Sequence, residues 1–165
     1  MEKHEKAIMG LLTAGLVADA LKLVAALLVR SFPEIVLQLM HEEISYDGLH
    51  KTVTNPLLYL RPVLHFVIML LLFFLLRSEC KKPSALSGLF PVLVPVTAIV
   101  LSAAGTVISY FVSFYMNRIN DVSVVAANNM LNTASSLLTL FIPSGMLFFI
   151  LAAGAIWYRR KQMQE

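Results

Sequence analysis

Four ionisable side chains stand inside otherwise apolar stretches of this chain, and they are the residues best suited to chemistry. Asp19 and Lys22 are three positions apart, and Arg61 and His65 are four positions apart. Residues at these spacings share one face of a helix. Counted along two antiparallel helices, Asp19 falls at the depth of His65, and Lys22 at the depth of Arg61. Because a charge at the centre of a bilayer costs about 2.5 kcal/mol or more, we expect these groups to meet.

Two interpretations fit this intramembrane polar cluster, which consists of Asp19, Lys22, Arg61 and His65. The first is a structural clasp, in which the paired charges fix how two helices pack. The second is a proton or ion relay, or a site for a polar substrate, because histidine changes charge near neutral pH and a carboxylate beside it can exchange a proton. The sequence leaves both interpretations open.

A second pattern places small polar residues at helical spacing in two long uncharged stretches. Each stripe lies on one helix face, where hydroxyl and amide groups bond across helix pairs and small residues allow close approach. The stripes predict helix–helix packing or, alternatively, a polar path that opens to the outside. They consist of Ser102, Thr106, Ser109 and Ser113, and of Asn128, Asn132, Ser135 and Thr139.

The elements that carry these residues are expected to lie in lipid. Of the 165 residues, 58% are hydrophobic and 14% are charged, and the mean hydropathy is +0.77. Soluble domains are about 45–50% apolar and about 25% charged, so this chain has too few charges to cover a soluble surface. The composition predicts an integral membrane protein with a single domain over residues 1–165.

Four stretches of the chain meet the length of about 20 apolar residues that a crossing helix needs. The predicted fold is therefore all-α, an antiparallel bundle of four transmembrane helices. Ile142–Gly145, with the sequence Ile-Pro-Ser-Gly, is a candidate for an opened turn in the last of them, because proline lacks a backbone donor and glycine adds flexibility. The spans cover about 7–29, 56–76, 86–115 and 132–158.

The first outer loop, residues 31–55, contains apolar side chains near helical spacing with polar ones between them. This pattern predicts a short amphipathic helix that lies in the outer membrane interface. The segment Ser45–Gly48 that follows is expected to turn the chain. The apolar positions are Ile35, Val36, Leu39, Met40 and Ile44.

The distribution of basic residues predicts that both termini are cytoplasmic. Lysine and arginine near membrane helices concentrate on the cytoplasmic side. With an inside N-terminus, eight basic residues lie inside and three lie outside. We expect the protein in the plasma (cytoplasmic) membrane. Those inside are Lys3, Lys6, Arg77, Lys81, Lys82, Arg159, Arg160 and Lys161, and those outside are Arg30, Lys51 and Arg118.

Sequence signatures of catalysis are missing. The chain has no glycine-rich phosphate loop, no Gly-x-Ser-x-Gly motif and no zinc-binding pattern, and Cys80 is its one cysteine. We therefore expect no enzyme activity, metal, cofactor or nucleic-acid partner. The favoured function is an accessory or interaction subunit of a membrane complex, whose partners are the lipid bilayer and a membrane protein or a second copy of the chain. The alternative is a small oligomeric transporter or ion- or proton-conducting protein that uses the intramembrane polar cluster.

Overall fold

The protein is represented by a computed structural model that describes residues 2–40, 45–81, 88–118 and 122–164. Within these ranges the regular structure is entirely helical, which confirms the all-α prediction. A short 3₁₀ helix at Pro56–Tyr59 precedes the fourth α-helix. The α-helices are α1 (Glu2–Ser31), α2 (Pro33–Met40), α3 (Tyr46–Thr54), α4 (Leu60–Lys81), α5 (Phe90–Arg118), α6 (Val122–Leu138) and α7 (Gly145–Gln164).

Three helical segments in the described part of the chain are long and apolar enough to cross a bilayer. They are His4–Ser31 in α1, Leu60–Lys81 in α4 and Phe90–Ile108 in α5. Each lies over one of the first three predicted spans. Their length and composition are those of a membrane protein.

The fourth predicted span, residues 132–158, does not form one continuous helix. α6 ends at Leu138 and α7 begins at Gly145, with a turn between them. Pro143 has no N–H for a helical hydrogen bond, and its ring disfavours a helical conformation at Ile142. The chain therefore opens at the Pro-Ser-Gly segment, and two helices replace one.

The segment between α1 and α4 contains two short helices. α2 includes four of the five apolar positions of the predicted amphipathic helix, and Ile44 lies outside the described residues. α3 begins where a turn was expected, because the Ser45 hydroxyl accepts a hydrogen bond from the Gly48 N–H at 3.2 Å. A serine that bonds a backbone N–H in this way caps a helix as readily as it stabilises a turn.

The chain forms two compact units, each assembled from separate stretches of sequence. The first unit contains Met1–Ala20, His65–Ser102 and Pro143–Glu165. The second unit contains Leu21–Leu64 and Ala103–Ile142. Three of the helices, α1, α4 and α5, therefore contribute residues to both units.

The core of the first unit is built by side chains from α1, α4, α5 and α7. Phe149 of α7 is fully buried together with Ala152 and Ala153, which follow it by three and four positions. This spacing gives α7 one inward face, and its alanines let neighbouring helices approach closely. The other members of the core are Ile8, Leu12, Met69, Phe73, Leu76, Cys80, Phe90, Val94, Leu101, Met146 and Ile156.

In the second unit, α2 and α3 pack against α6. The α6 side chains that form this contact are small or flexible, and they repeat at helical spacing. Val36 and Leu49 fill the space from α2 and α3, and Val29 contributes from the end of α1. The α6 members of this core are Ala127, Met130, Leu131 and Ala134.

Candidate functional site

Asp19 is a buried carboxylate in the first unit, and 1% of its side-chain surface is exposed. It lies one helical turn after Gly15, on the same face of α1. A Cβ atom on Gly15 would stand 2.9 Å from the carbonyl oxygen of Gly145, so the two backbones are nearly in contact. The carboxylate therefore lies where α1 passes close to the first residue of α7.

Gly145 provides the room that the Asp19 carboxylate occupies. A Cβ atom on Gly145 would overlap Oδ2 and Cγ of Asp19. This contact puts the carboxylate at the N-terminus of α7, where the first backbone N–H groups have no partner within the helix and the helix dipole favours negative charge. Even so, Oδ2 has no hydrogen-bond partner among the residues that the structure describes.

The other carboxylate oxygen faces a histidine. Nε2 of His65 lies 3.7 Å from Oδ1 of Asp19, which is within ion-pair range but longer than a hydrogen bond. The His65 side chain is 44% exposed, so it reaches from the buried carboxylate to the surface of the chain. The pair thus joins a buried carboxylate to a half-exposed imidazole.

Burial sets the electrostatics of Asp19. An unpaired buried charge costs several kcal/mol, and neutralisation of a carboxylate removes much of that cost. Within the described ranges, no group of three or more histidine, cysteine, aspartate or glutamate side chains comes together. The observed site is thus a buried carboxylate that faces a histidine.

The other two members of the intramembrane polar cluster belong to the second unit. Lys22 is partly buried on α1. Arg61 lies beside Gly105 of α5, with its Nε 3.1 Å from the point where a Cβ on that glycine would stand. This contact was not expected from the sequence. Because Gly105 has no side chain, it leaves space for the guanidinium group of Arg61. The depths of charged residues along two helices, which the sequence provides, do not predict this space.

The first polar stripe is described in part. The side chains of Ser102, Ser109 and Ser113 lie outside those that the structure describes, and Thr106 is exposed on α5. The packing role assigned to this stripe stays a prediction.

The second polar stripe lies on α6 and is described in full. Asn132 accepts a hydrogen bond from Arg30 of α1, so one member of the stripe connects two helices. Thr139 instead donates to the carbonyl oxygen of Ser135 in its own chain segment, at 2.9 Å. Asn128 is partly buried. Among the described residues, the stripe therefore shows one interhelical hydrogen bond, and its partner is a charged group.

Arg30 is a buried charge that sequence reasoning missed, since it was assigned to the outer membrane surface. It is 3% exposed. Nη2 donates to Oδ1 of Asn132 at 2.8 Å, and Nη1 donates to the carbonyl oxygen of Ala26 at 3.2 Å. The guanidinium carbon lies 5.5 Å from the ring centroid of Tyr59, within cation–π range. An arginine at the end of an apolar run is typical of a topology signal, and Asn132 is 102 positions away, so the sequence carries no local sign of this burial.

Two buried charges, therefore, define the candidate sites. Asp19 in the first unit has an oxygen without a hydrogen-bond partner, and Arg30 in the second unit has an Nε in the same condition, among the residues described. Comparison with protein-family models, with curated proteins and with solved structures finds no match for this chain, so its function is argued from these sites alone.

Proposed function

We propose that this chain is a small multi-pass membrane protein that transports or conducts protons or monovalent cations through the carboxylate of Asp19. The observation that carries this proposal is the asymmetric environment of that carboxylate. Oδ2 is buried without a hydrogen-bond partner among the described residues, while Oδ1 faces the accessible ring of His65 at 3.7 Å. Intramembrane ionisable residues commonly mark ion and proton pathways.

The two residues have different roles in this proposal. We infer that His65, whose side chain is half-exposed, faces a water-filled opening from which it takes up a proton. When the two groups approach to hydrogen-bond distance, the proton passes from Nε2 of the imidazolium to Oδ1 of Asp19, which leaves a neutral imidazole and a neutral carboxylic acid. Loss of the proton restores a carboxylate at the N-terminus of α7, whose dipole stabilises it.

The proposed architecture is an antiparallel bundle with four crossings. α1, α4 and α5 contain the three candidate spans, and the segment with α7 would make the fourth, since its 20 residues reach about 30 Å. The shared core of α1, α4, α5 and α7 supports this arrangement. The excess of basic residues on one side supports cytoplasmic termini in the plasma membrane, and the short apolar helix α2 is proposed to lie in the outer interface.

Proton flux into liposomes tests the proposed function. The full chain is reconstituted in vesicles that contain a pH-sensitive dye, and a potassium gradient with valinomycin drives cations inward. We expect flux with the wild-type chain and none with Asp19→Asn. The matched control is Asp47→Asn, which makes the same change at an exposed carboxylate and should leave the flux unchanged. Sodium flux is measured in the same way with a sodium-sensitive dye. Wild-type vesicles that pass neither protons nor sodium, or equal flux from the Asp19 variant, would overturn the proposal.

A second candidate is an accessory subunit that acts by binding other membrane components, alone or as a homo-oligomer. It is favoured by α5: in an 18-residue apolar window of this helix 12% of the residues are buried within the chain, against 33% for the window in α1 and 22% for that in α4. Ile99 and Val100 are among its exposed side chains. Native mass spectrometry from mild detergent should then find a stoichiometric partner or a self-oligomer. Ile99→Trp should dissociate this complex or oligomer, whereas Leu147→Trp, at an exposed site on α7, should not. A monomer without a bound protein would contradict this candidate.

A further inference from the structure

The guanidinium group of Arg30 is buried with few of its hydrogen-bonding groups in use. An arginine side chain carries five N–H donors. One N–H of Nη1 bonds to Ala26 and one of Nη2 bonds to Asn132, while Nε has no partner among the described residues. Three N–H donors of a nearly inaccessible cation are therefore without a protein acceptor in the described part of the chain.

The positive charge of Arg30 is also incompletely balanced. No carboxylate of the described residues forms an ion pair with it. Its neighbours offer partial negative charge, from the carbonyl of Ala26 near the C-terminus of α1 and from the face of the Tyr59 ring. A helix end contributes roughly half an elementary charge, and a cation–π contact contributes about 0.5–2 kcal/mol. A buried cation with such neighbours favours the binding of an anion.

We propose that Arg30 binds a phosphate group, carried either by a lipid headgroup or by a small soluble phosphate compound. The guanidinium fork matches the spacing of two phosphate oxygens, and its unused donors include Nε and the second N–H of Nη2. Arg30 is the penultimate residue of the candidate span His4–Ser31, which places it by length near the level of lipid phosphates. This site is independent of the proton exchange proposed for Asp19.

Asn132 determines access to the site. Its side chain is exposed although its Oδ1 holds the buried Nη2 of Arg30. Binding of a phosphate would require this amide to move aside, and its N–H groups could then add donors for a phosphate oxygen. A carboxylate at position 132 would instead supply the missing counter-charge from within the chain and compete with the phosphate.

The decisive substitution is accordingly Asn132→Asp in the full chain. Binding is measured by native mass spectrometry with added phosphatidylglycerol and by phosphorus NMR titration with inorganic phosphate. We expect the wild type to bind at least one of these probes, and Asn132→Asp to weaken that binding about tenfold or more. Asn129→Asp is the matched control, because it adds the same charge to an exposed position of the same helix and should leave binding unchanged.

The two probes distinguish the source of the phosphate. Saturable binding of phosphatidylglycerol alone identifies a lipid headgroup, and binding of inorganic phosphate identifies a soluble ligand; both support the proposal. Failure of the wild type to bind either probe, or equal weakening by the two aspartate substitutions, would overturn it. If Asn132→Asp does not fold, Arg30→Lys decides the question, since it keeps the charge and loses the fork. Wild-type affinity in that variant would also reject the site.

Discussion

Gly145 and the carboxylate of Asp19 occupy adjoining space, with no room for a Cβ atom between them. The glycine is the first residue of α7 and follows the break that Pro143 imposes, so one short segment both ends a helix and forms a wall of the candidate proton site. The carboxylate owes its burial to this close approach as much as to its own helix. Substitutions of Asp19 or Gly145 should therefore change the stability of the protein, whereas a substitution at the surface should not.

Gly145→Ala should destabilise the protein by about 1–3 kcal/mol, because the added methyl group would overlap Oδ2 and Cγ of Asp19. Thermal unfolding in detergent measures the effect. Gly10→Ala is the control, since nothing lies within 4 Å of a Cβ at that position, and alanine favours the helix slightly. Equal unfolding temperatures for the two variants would show that the contact at Gly145 is not close.

Asp19→Asn should maintain or raise the unfolding temperature. The amide has nearly the shape of the carboxylate, and the substitution removes a buried charge whose Oδ2 has no hydrogen-bond partner among the described residues. The clasp interpretation predicts the opposite result, because loss of the charge would weaken helix packing around His65. A lower unfolding temperature, with a loss of about 3–5 kcal/mol as for a broken buried pair, would favour the clasp over proton exchange.

Thr52→Val should cost about 1 kcal/mol. The Thr52 hydroxyl is fully buried, donates to the carbonyl oxygen of Gly48 at 2.7 Å and lies 3.2 Å from that of Val124 on α6. Valine keeps the shape and removes these contacts. Thr54→Val tests the reasoning, because Thr54 makes the same kind of bond to its own helix at an exposed site, and chemical denaturation should show almost no change. Similar losses of stability in the Thr52 and Thr54 variants would indicate that burial of the hydroxyl does not determine the cost.

Glu79→Gln should cost about 1–3 kcal/mol. Arg160 donates from Nη2 to Oε2 of Glu79 at 2.9 Å and to the backbone carbonyl oxygen of Glu79 at 2.8 Å. The side chain of Glu79 is 10% exposed and that of Arg160 is 14% exposed. The substitution removes the charge from this shielded pair.

The corresponding exposed ion pair provides the control for Glu79. Asp47 and Lys51 are 2.7 Å apart on one face of α3, with most or half of each side chain exposed. Asp47→Asn should cost no more than about 0.5 kcal/mol, because water screens such a pair. A larger loss at Asp47 than at Glu79, measured by unfolding in detergent, would contradict the role assigned to burial.

The sequence predicts best those features that depend on local composition. Long apolar runs identify the three candidate spans, and the Pro-Ser-Gly segment marks the break before α7, because both signals lie within a few adjacent residues. The neighbourhood of Asp19 and His65 was expected from equal depths along two helices. The overlap of Asp19 with Gly145 was not, since it depends on a residue 126 positions later in the chain.

The surroundings of Arg30 show why the buried charges could not all be predicted from the sequence. Its surroundings come from three separate segments, namely its own helix, the ring of Tyr59 and the amide of Asn132. Tyrosine and asparagine, the residue types at positions 59 and 132, are also common in ordinary membrane helices, so neither marks a buried charge. Burial of a charge is thus a property of tertiary packing, which a linear pattern does not contain.

The division into two units has a consequence for a shortened chain. A chain that ends at Ile142 contains every stretch of the second unit, whereas the first unit lacks Pro143–Glu165. Phe149 and Ala152, both fully buried, are supplied by that stretch. Without it, Leu12 and Met69 have no cover from α7, and Asp19 lacks its glycine neighbour. Such a chain should accordingly retain the second unit and expose the apolar side chains and the carboxylate of the first, which makes it prone to aggregation.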